Sequence, residues 1–297
     1  MNSQNQNPMD QLTTEKPIIL NKTEYKLNRT LFLPKVETRQ AEGGLRTKGY
    51  FKRNTFEQPL ITVITVVFNS EKFLEETILS VIQQSYQNLE FIIIDGGSND
   101  GTLGIIKKFD EKIDYWVSEK DNGIYDAMNK GISLSQGMFL IHINSGDRLF
   151  PDSILEMVPY FNSDCQLIFG PVKYKSGKVF YPNYNFRIYL KNSIHHQGAF
   201  YLTEKLLELG GYDTRYKILA DYKINLLLYT DDSNTKETKN IITECLDNGI
   251  SDTPRILNYL EEISIRNQVM NNLLAIPLNI LTLARFSLKK IIRGVNG

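Results

Sequence analysis

The sequence predicts an α/β domain with a mainly parallel central sheet flanked by helices. Three observations carry that reading. Short β-branched runs recur from residue 61 onward, segments with helical apolar spacing separate them, and three runs end in polar or glycine-rich stretches. Strands alternating with crossover helices give parallel pairing, and a ligand in such a sheet sits beyond the carboxyl ends of the strands. Asn69, Asp95 and Asp147 stand at three such ends, so a site assembled from parts distant in sequence is expected.

Taken in order, residues 1–16 are rich in Asn, Gln and Thr and read as disordered. Residues 17–58 carry scattered apolar positions and the turn-rich piece Glu42 to Gly49, which suggests an arm packed on the main domain. The main domain is expected over 59–235. Ile61 to Phe68 is a continuous β-branched run suited to a strand buried on both faces. Asn69-Ser70 breaks it, and Phe73, Thr77, Ile78, Val81 and Ile82 then recur at helical spacing. Phe91 to Ile94 is a second buried strand, ending at Asp95-Gly96-Gly97-Ser98. A helix from Gly101 to Phe109, a strand at Tyr115 to Val117, a helix from Gly123 to Leu134 and a strand from Phe139 to Ile143 follow. The last strand ends at Asn144-Ser145-Gly146-Asp147. Beyond residue 150, Leu167 to Gly170 and Val179 to Tyr181 read as strands, with a hairpin around Ser176-Gly177. His195 to Tyr201 leads into a further strand and helix, and another helix opens near Asp221. Residues 236–297 form a C-terminal helical extension.

Composition narrows the function classes. Hydrophobic residues make up 41% and charged residues 23%, the mix of a globular chain with a core. The formal net charge is zero, which leaves no global basic field for nucleic acid. Cys165 and Cys245 are the only cysteines, far apart and outside any CxxC or Cys/His cluster, which argues against a disulfide scaffold and structural zinc. The N-terminus lacks the apolar run of a signal peptide, and no uninterrupted apolar stretch reaches spanning length. A cytoplasmic location is therefore expected.

Several residues could carry chemistry. Asp95, at a strand end before two glycines, can accept hydrogen bonds from a nucleobase imide or a ribose hydroxyl, or simply belong to a βα loop. No GxGxxG follows that strand, which disfavours a nicotinamide dehydrogenase. Asp147 suits a hard divalent cation whose remaining ligands come from a diphosphate, or a turn capped by its carboxylate. Asp121 or Asn122 can cap the helix that follows, with Asp126, Asn129 and Lys130 on one of its sides. Asp221 can serve as a general base toward a hydroxyl or as an N-cap. His195 and His196 suit a catalytic or phosphate-contacting role or a hydrogen-bonded structural one, and His142 lies inside a strand pattern.

Together these segments resemble the inverting glycosyltransferases of family 2, with the GT-A fold, over roughly residues 59–229. The resemblance implies a donor site formed by Val66, Phe68 and Asn69 at the first strand, Asp95 on the base, and Asp121 and Asn129 in the stretch Ser118 to Gly131. That stretch looks like a branch that builds bacterial surface polysaccharides. Asn144 to Asp147 falls at the family's DxD position, making Asp147 the metal and diphosphate residue, with Mg²⁺ or Mn²⁺ as cofactor. Asp221 falls at the catalytic base, and His195, His196 and Gln197 are candidates for acceptor or phosphate contact. Two departures stand out: Asn144 replaces the first acid and Gly146 precedes Asp147, and the base motif reads Ala220-Asp221 without a paired acid. The implied reaction moves a sugar from a nucleotide-sugar donor to a saccharide or lipid-linked acceptor by single in-line displacement. A catalytically degenerate sugar-nucleotide-binding partner subunit is the alternative, and a nucleotidyltransferase ranks third because Val66 to Ser70 lacks a Gly-rich basic loop.

In residues 273–293, Pro277 and Arg285 interrupt the apolar run, so a spanning helix is not expected. The segment suits either a helix in the headgroup region, with peripheral contact at the inner face of the membrane, or a terminal helix docked on the domain.

Overall fold

The computed structural model describes residues 12–19, 21–55, 57–247 and 256–295. β1 (Leu12–Thr13) precedes the arm, which contributes β2 (Arg39–Gly43) and β3 (Phe51–Lys52). The main domain follows with β4 (Ile61–Val67), α1 (Leu74–Ile82), β5 (Leu89–Asp95), α2 (Thr102–Lys108), β6 (Tyr115–Glu119), α3 (Ile124–Leu134) and β7 (Phe139–His142). Next come β8 (Arg148–Leu149), α4 (Ser153–Met157), β9 (Leu167–Phe169), β10 (Val172–Tyr174), β11 (Val179–Phe180), β12 (Ala199–Leu202), α5 (Thr203–Leu209) and α6 (Ala220–Thr230). β13 (Thr235–Glu237), β14 (Thr243–Cys245), α7 (Ile256–Val269) and α8 (Asn272–Val295) end the chain.

Eight strands form the central sheet in the order β13-β9-β12-β7-β4-β5-β6-β2. Its middle, β7-β4-β5-β6, is parallel, as the alternation of strands and helices requires. Both flanks turn antiparallel, so the sheet is mixed rather than parallel throughout. β12 runs antiparallel to both of its neighbours, β7 and β9, so it begins at the edge where those two strands end. This arrangement places the residues just before β12 beside the strand-end loops.

β4 and β5 are buried along their whole length because both faces are covered. Ile61, Val63, Phe91 and Ile93 face a core shared with Leu74, Ile78 and Val81 of α1 and Ile106 of α2. Ile64, Val66, Ile92 and Ile94 face the opposite core with Met128 and Ile132 of α3 and Tyr222 and Leu226 of α6. A Cβ at Gly131 would lie 2.5 Å from Ile64 Cγ2, so glycine lets α3 sit close on β4.

The arm is integral to the sheet. β2 extends it beyond β6, and Arg46 reaches under the strands to a salt bridge with Glu90, both side chains almost fully buried. Arg46 also donates to the carbonyls of Leu31 and Leu134, while Glu90 accepts from Thr62 Oγ1 and the Gln136 backbone N–H. A buried pair needs such additional partners to offset its desolvation.

Some sequence expectations shift. Of the segment read as disordered, residues 1–11 lie outside the described residues, and β1 pairs with β3. The hairpin around Ser176-Gly177 joins β10 to β11, whereas Leu167 to Phe169 enters the central sheet between β12 and β13. The boundary at 235/236 falls inside β13, and β14 pairs with β10 and β8 in a second, four-stranded sheet, so the domain reaches at least Cys245.

Candidate active site

At the end of β4 the backbone of Asn69 takes a positive φ of 48°, and its N–H donates to Ser98 Oγ. Asn69 Oδ1 accepts from the Asn99 N–H at 2.9 Å, which locks the first two strand-end loops together. Asp95 is fully buried, and its carboxylate accepts from the Ser98 N–H and hydroxyl and from the Ser118 hydroxyl. A Cβ at Gly96 would lie 2.5 Å from Asp121 Oδ2, so the glycine permits the close approach of the loops after β5 and β6. Asp121 in turn accepts from the Gly123 N–H at 2.8 Å and shapes the entry to α3. Asn69, Asp95 and Asp121 are therefore neighbours on one rim of the sheet. Phe68 projects there, 62% exposed, while the Val66 side chain belongs to the core.

Asn129 has different partners. Its amide donates to the Tyr212 carbonyl and accepts from the Tyr212 N–H, both at 2.7 Å. Both ends of the side chain, which the resemblance assigns to the donor site, are committed to the loop before α6.

The turn after β7 is clamped by Thr77 of α1, whose hydroxyl accepts from the Gly146 N–H and donates to the Asp147 carbonyl. Asp147 is 4% exposed; Oδ2 accepts from Gln197 Nε2 at 2.9 Å and Oδ1 from the Leu246 N–H at 3.0 Å. Burial pushes its carboxyl above the usual carboxylate range, and the Gln197 hydrogen bond opposes that shift. Asp221 lies in the first turn of α6, 7% exposed. Its Oδ1 accepts from the Tyr222 N–H at 2.8 Å, and its Oδ2 accepts from Asn192 Nδ2 at 2.9 Å and faces His196 Nδ1 at 3.4 Å. His196 Nε2 is 3.2 Å from Asn144 Nδ2. With Nδ1–H directed to Asp221, Nε2 remains to accept from that amide.

One short turn thus touches both candidate carboxylates, His196 reaching Asp221 and Gln197 reaching Asp147. It sits at the carboxyl edge because β12 runs back along β7. His195 stacks on His196 and lies edge-on to Tyr174 and Phe180, and burial pushes its imidazole down to about 4. His142 is fully buried against Tyr212, with its pKa lowered by burial to about 3, consistent with a structural place.

The donor set can be tested against a divalent cation. Among the described residues no group of three or more His, Cys, Asp or Glu side chains could hold a metal alone. Asp147 offers one carboxylate with lone pairs beyond its two hydrogen bonds, and Asn144 Oδ1 is a buried oxygen without a partner. That set fits a cation whose other ligands are phosphate oxygens. Sequence reasoning missed Asn192, Ser118 and Thr77, which position Asp221, Asp95 and the Asp147 turn. None carries a distinguishing sequence pattern, since their partners are 29, 23 and 70 residues away.

A family model described as "Glycosyl transferase family 2" matches residues 62–214. An uncharacterized glycosyltransferase of Mycobacterium tuberculosis (strain ATCC 25618 / H37Rv) is 33% identical over 183 residues, covering 57% of this chain and 68% of that protein. A PGL/p-HBAD biosynthesis glycosyltransferase of Mycobacterium bovis (strain BCG / Pasteur 1173P2) is 29% identical over 184 residues, covering 58% and 71%. Among solved structures, S. aureus TarS 1–349 in complex with UDP-GlcNAc has a similar fold, with a TM-score of 0.59 at 16% identity over 75% of this chain and 71% of that one.

Proposed function

This chain belongs to glycosyl transferase family 2 and is a glycosyltransferase, and from that premise we propose the chemistry of its site. It moves a sugar from a nucleotide-sugar donor to a hydroxyl of a saccharide or lipid-linked saccharide acceptor, with inversion, in surface-polysaccharide biosynthesis. The observation that carries this reading is the turn at 196–197, which holds Asp221 and Asp147 at its two ends.

In this reading the nucleoside lies on the rim of Asn69, Asp95 and Asp121, and the diphosphate extends toward Asp147. Asp147 and Asn144 Oδ1 would hold a divalent cation, Mg²⁺ or Mn²⁺, which supplies charge neutralisation on the leaving diphosphate. Asp221 takes the proton of the acceptor hydroxyl as its oxygen bonds to the anomeric carbon and the bond to the diphosphate oxygen breaks. The proton ends on Asp221 and the electron pair on the nucleoside diphosphate. Asn192 and His196 fix the carboxylate orientation, so little reorganisation is needed during transfer. A single displacement inverts the anomeric centre. A peripheral contact with the cytoplasmic face of a membrane, through residues 273–293, belongs to the same reading; among the described residues no helix is long and apolar enough to cross one.

The test is release of nucleoside diphosphate from a panel of nucleotide sugars, with and without Mg²⁺ or Mn²⁺, in the parent, Asp147→Ala and Asp221→Asn. Metal-dependent turnover of one donor that falls sharply in both variants is expected. Donor binding without turnover, even with membrane extract as the acceptor source, would instead mark a degenerate binding subunit.

A further inference from the structure

The α7–α8 hairpin is built inside out. A surface helix ordinarily turns its apolar stripe to the core and its polar residues to water. In α8 the inward positions include Ala275 and Phe286, but polar side chains make most of the contact. Asn279 Oδ1 and Thr282 Oγ1 accept from the guanidinium of Arg266, and Arg285 pairs with Glu262 of α7 at 3.1 Å. Arg266 is fully buried and also donates to the carbonyls of Tyr189 and Leu190, which ties the hairpin to the domain. A buried guanidinium needs such partners, so this polar seam determines which face of α8 turns inward.

The apolar side is therefore left outside. Leu273, Leu274, Ile276, Ile280, Leu281 and Leu288 are each more than half exposed. Phe286 stacks edge-on to Tyr259 at 5.1 Å, bringing the start of α7 beside the end of α8, where Ile256 and Leu260 are exposed as well. Soluble chains rarely leave a contiguous apolar face of this length open. The charge distribution bears on what covers it. No Asp or Glu follows Glu262, whereas Arg266, Arg285, Lys289, Lys290 and Arg293 do, in a chain of zero net charge. Arg266 and Arg285 are used by the hairpin, and Lys289, Lys290 and Arg293 follow them in the sequence. A row of outward leucines and isoleucines running into basic residues is complementary to an anionic bilayer. A second copy of α8 would offer those cations no carboxylate, because α8 contains none.

We propose that the outward face of α8, with the exposed start of α7, is a preformed docking surface for an anionic lipid bilayer. The helix lies in the headgroup region and its polar seam stays on the enzyme. The proposal deepens the membrane contact included in the functional reading above and does not depend on the reaction chemistry.

The test is sedimentation of the full chain with phosphatidylcholine vesicles and with vesicles that also contain phosphatidylglycerol. The parent is expected to bind only the second kind. Ile280→Asp combined with Leu281→Asp should abolish binding, and Lys289→Gln or Lys290→Gln should each weaken it roughly fivefold. Thermal unfolding of the variants should match the parent, since these side chains project from the fold or, for the lysines, change only a charge. A parent that stays in solution with both vesicle types, or aspartate variants that bind as well as the parent, would overturn the proposal. So would a dimer in solution, seen by light scattering, that the aspartate substitutions dissolve. Nucleoside diphosphate release to a soluble acceptor is followed in the same samples. Vesicle binding without turnover counts against the reaction, and turnover without vesicle binding counts against the docking surface.

Discussion

Replacing Asp221 by Asn separates its proposed chemical role from its structural one. The substitution keeps the volume and the acceptor that caps the Tyr222 N–H, but it removes the proposed base. Loss of a positioned general base lowers turnover by roughly 10²- to 10⁴-fold. The structural cost follows from the partners of Oδ2. Asn192 Nδ2 and His196 Nδ1 both face that atom, so an amide nitrogen there meets two groups that donate to the carboxylate. An unsatisfied buried polar contact costs about 1–3 kcal/mol, and loss of the negative charge at the start of α6 adds about 0.3–1 kcal/mol. Each kcal/mol lowers Tm by roughly 2–4 °C in a chain approaching this size, so a fall of several degrees is expected without loss of the fold. Steady-state nucleoside diphosphate release with saturating acceptor should show a collapse in kcat, with KM for the donor nearly unchanged. A kcat within tenfold of the parent, in a variant with the predicted modest Tm loss, would refute the assignment of Asp221 as the base.

Three further predictions follow from the same geometry. Gln197→Leu removes the donor on Asp147 Oδ2 and leaves its buried carboxylate with the Leu246 N–H; metal titration of activity should show a roughly tenfold weaker apparent affinity, and Tm should fall by an amount consistent with about 1–3 kcal/mol. Arg46→Met strands the buried Glu90 carboxylate, and thermal unfolding should show a loss of about 3–5 kcal/mol that a second substitution, Glu90→Gln, partly restores. The raised carboxyl of Asp147 favours the protonated native state. Its contribution to stability is present at acid pH and is lost as pH rises through the folded-state value, above the ordinary carboxylate range. Asp147→Asn should therefore make the metal-free protein at least as stable as the parent at neutral pH, with the difference shrinking as pH falls, while transfer activity is lost; a scan of Tm against pH checks the sign.

The centre of this fold was legible because its signals are local. The runs from Ile61 and from Phe91 have the composition of strands covered on both faces, and Asn69-Ser70, Asp95-Gly96-Gly97 and Asn144 to Asp147 mark strand ends by their own turn chemistry. The order of those ends along a parallel sheet predicted a shared site at Asn69, Asp95 and Asp147. What stayed hidden depends on pairing between distant segments. β2 is a polar stretch that becomes a strand only because β6 offers it an edge, and β13 crosses what composition suggested was a boundary.

The same division holds for side chains. Sequence pattern put Asn129 on the polar side of a helix, but whether an amide faces a ligand or a loop is decided by what packs opposite it, and here that is Tyr212. Asn192 carries no local signal for contact with Asp221, and the coupling of Asp147 to Asp221 through residues 196–197 exists because β12 starts at the edge where β7 ends. For residues 273–293 the sequence left open a helix lying in the headgroup region and a terminal helix docked on the domain. The sequence alone determined the fold class, the strand-end carboxylates and the basic, amphipathic tail. Tertiary structure decided which carboxylates meet and which face of that tail stays open, because a buried Arg266 needs partners and the polar side of α8 provides them.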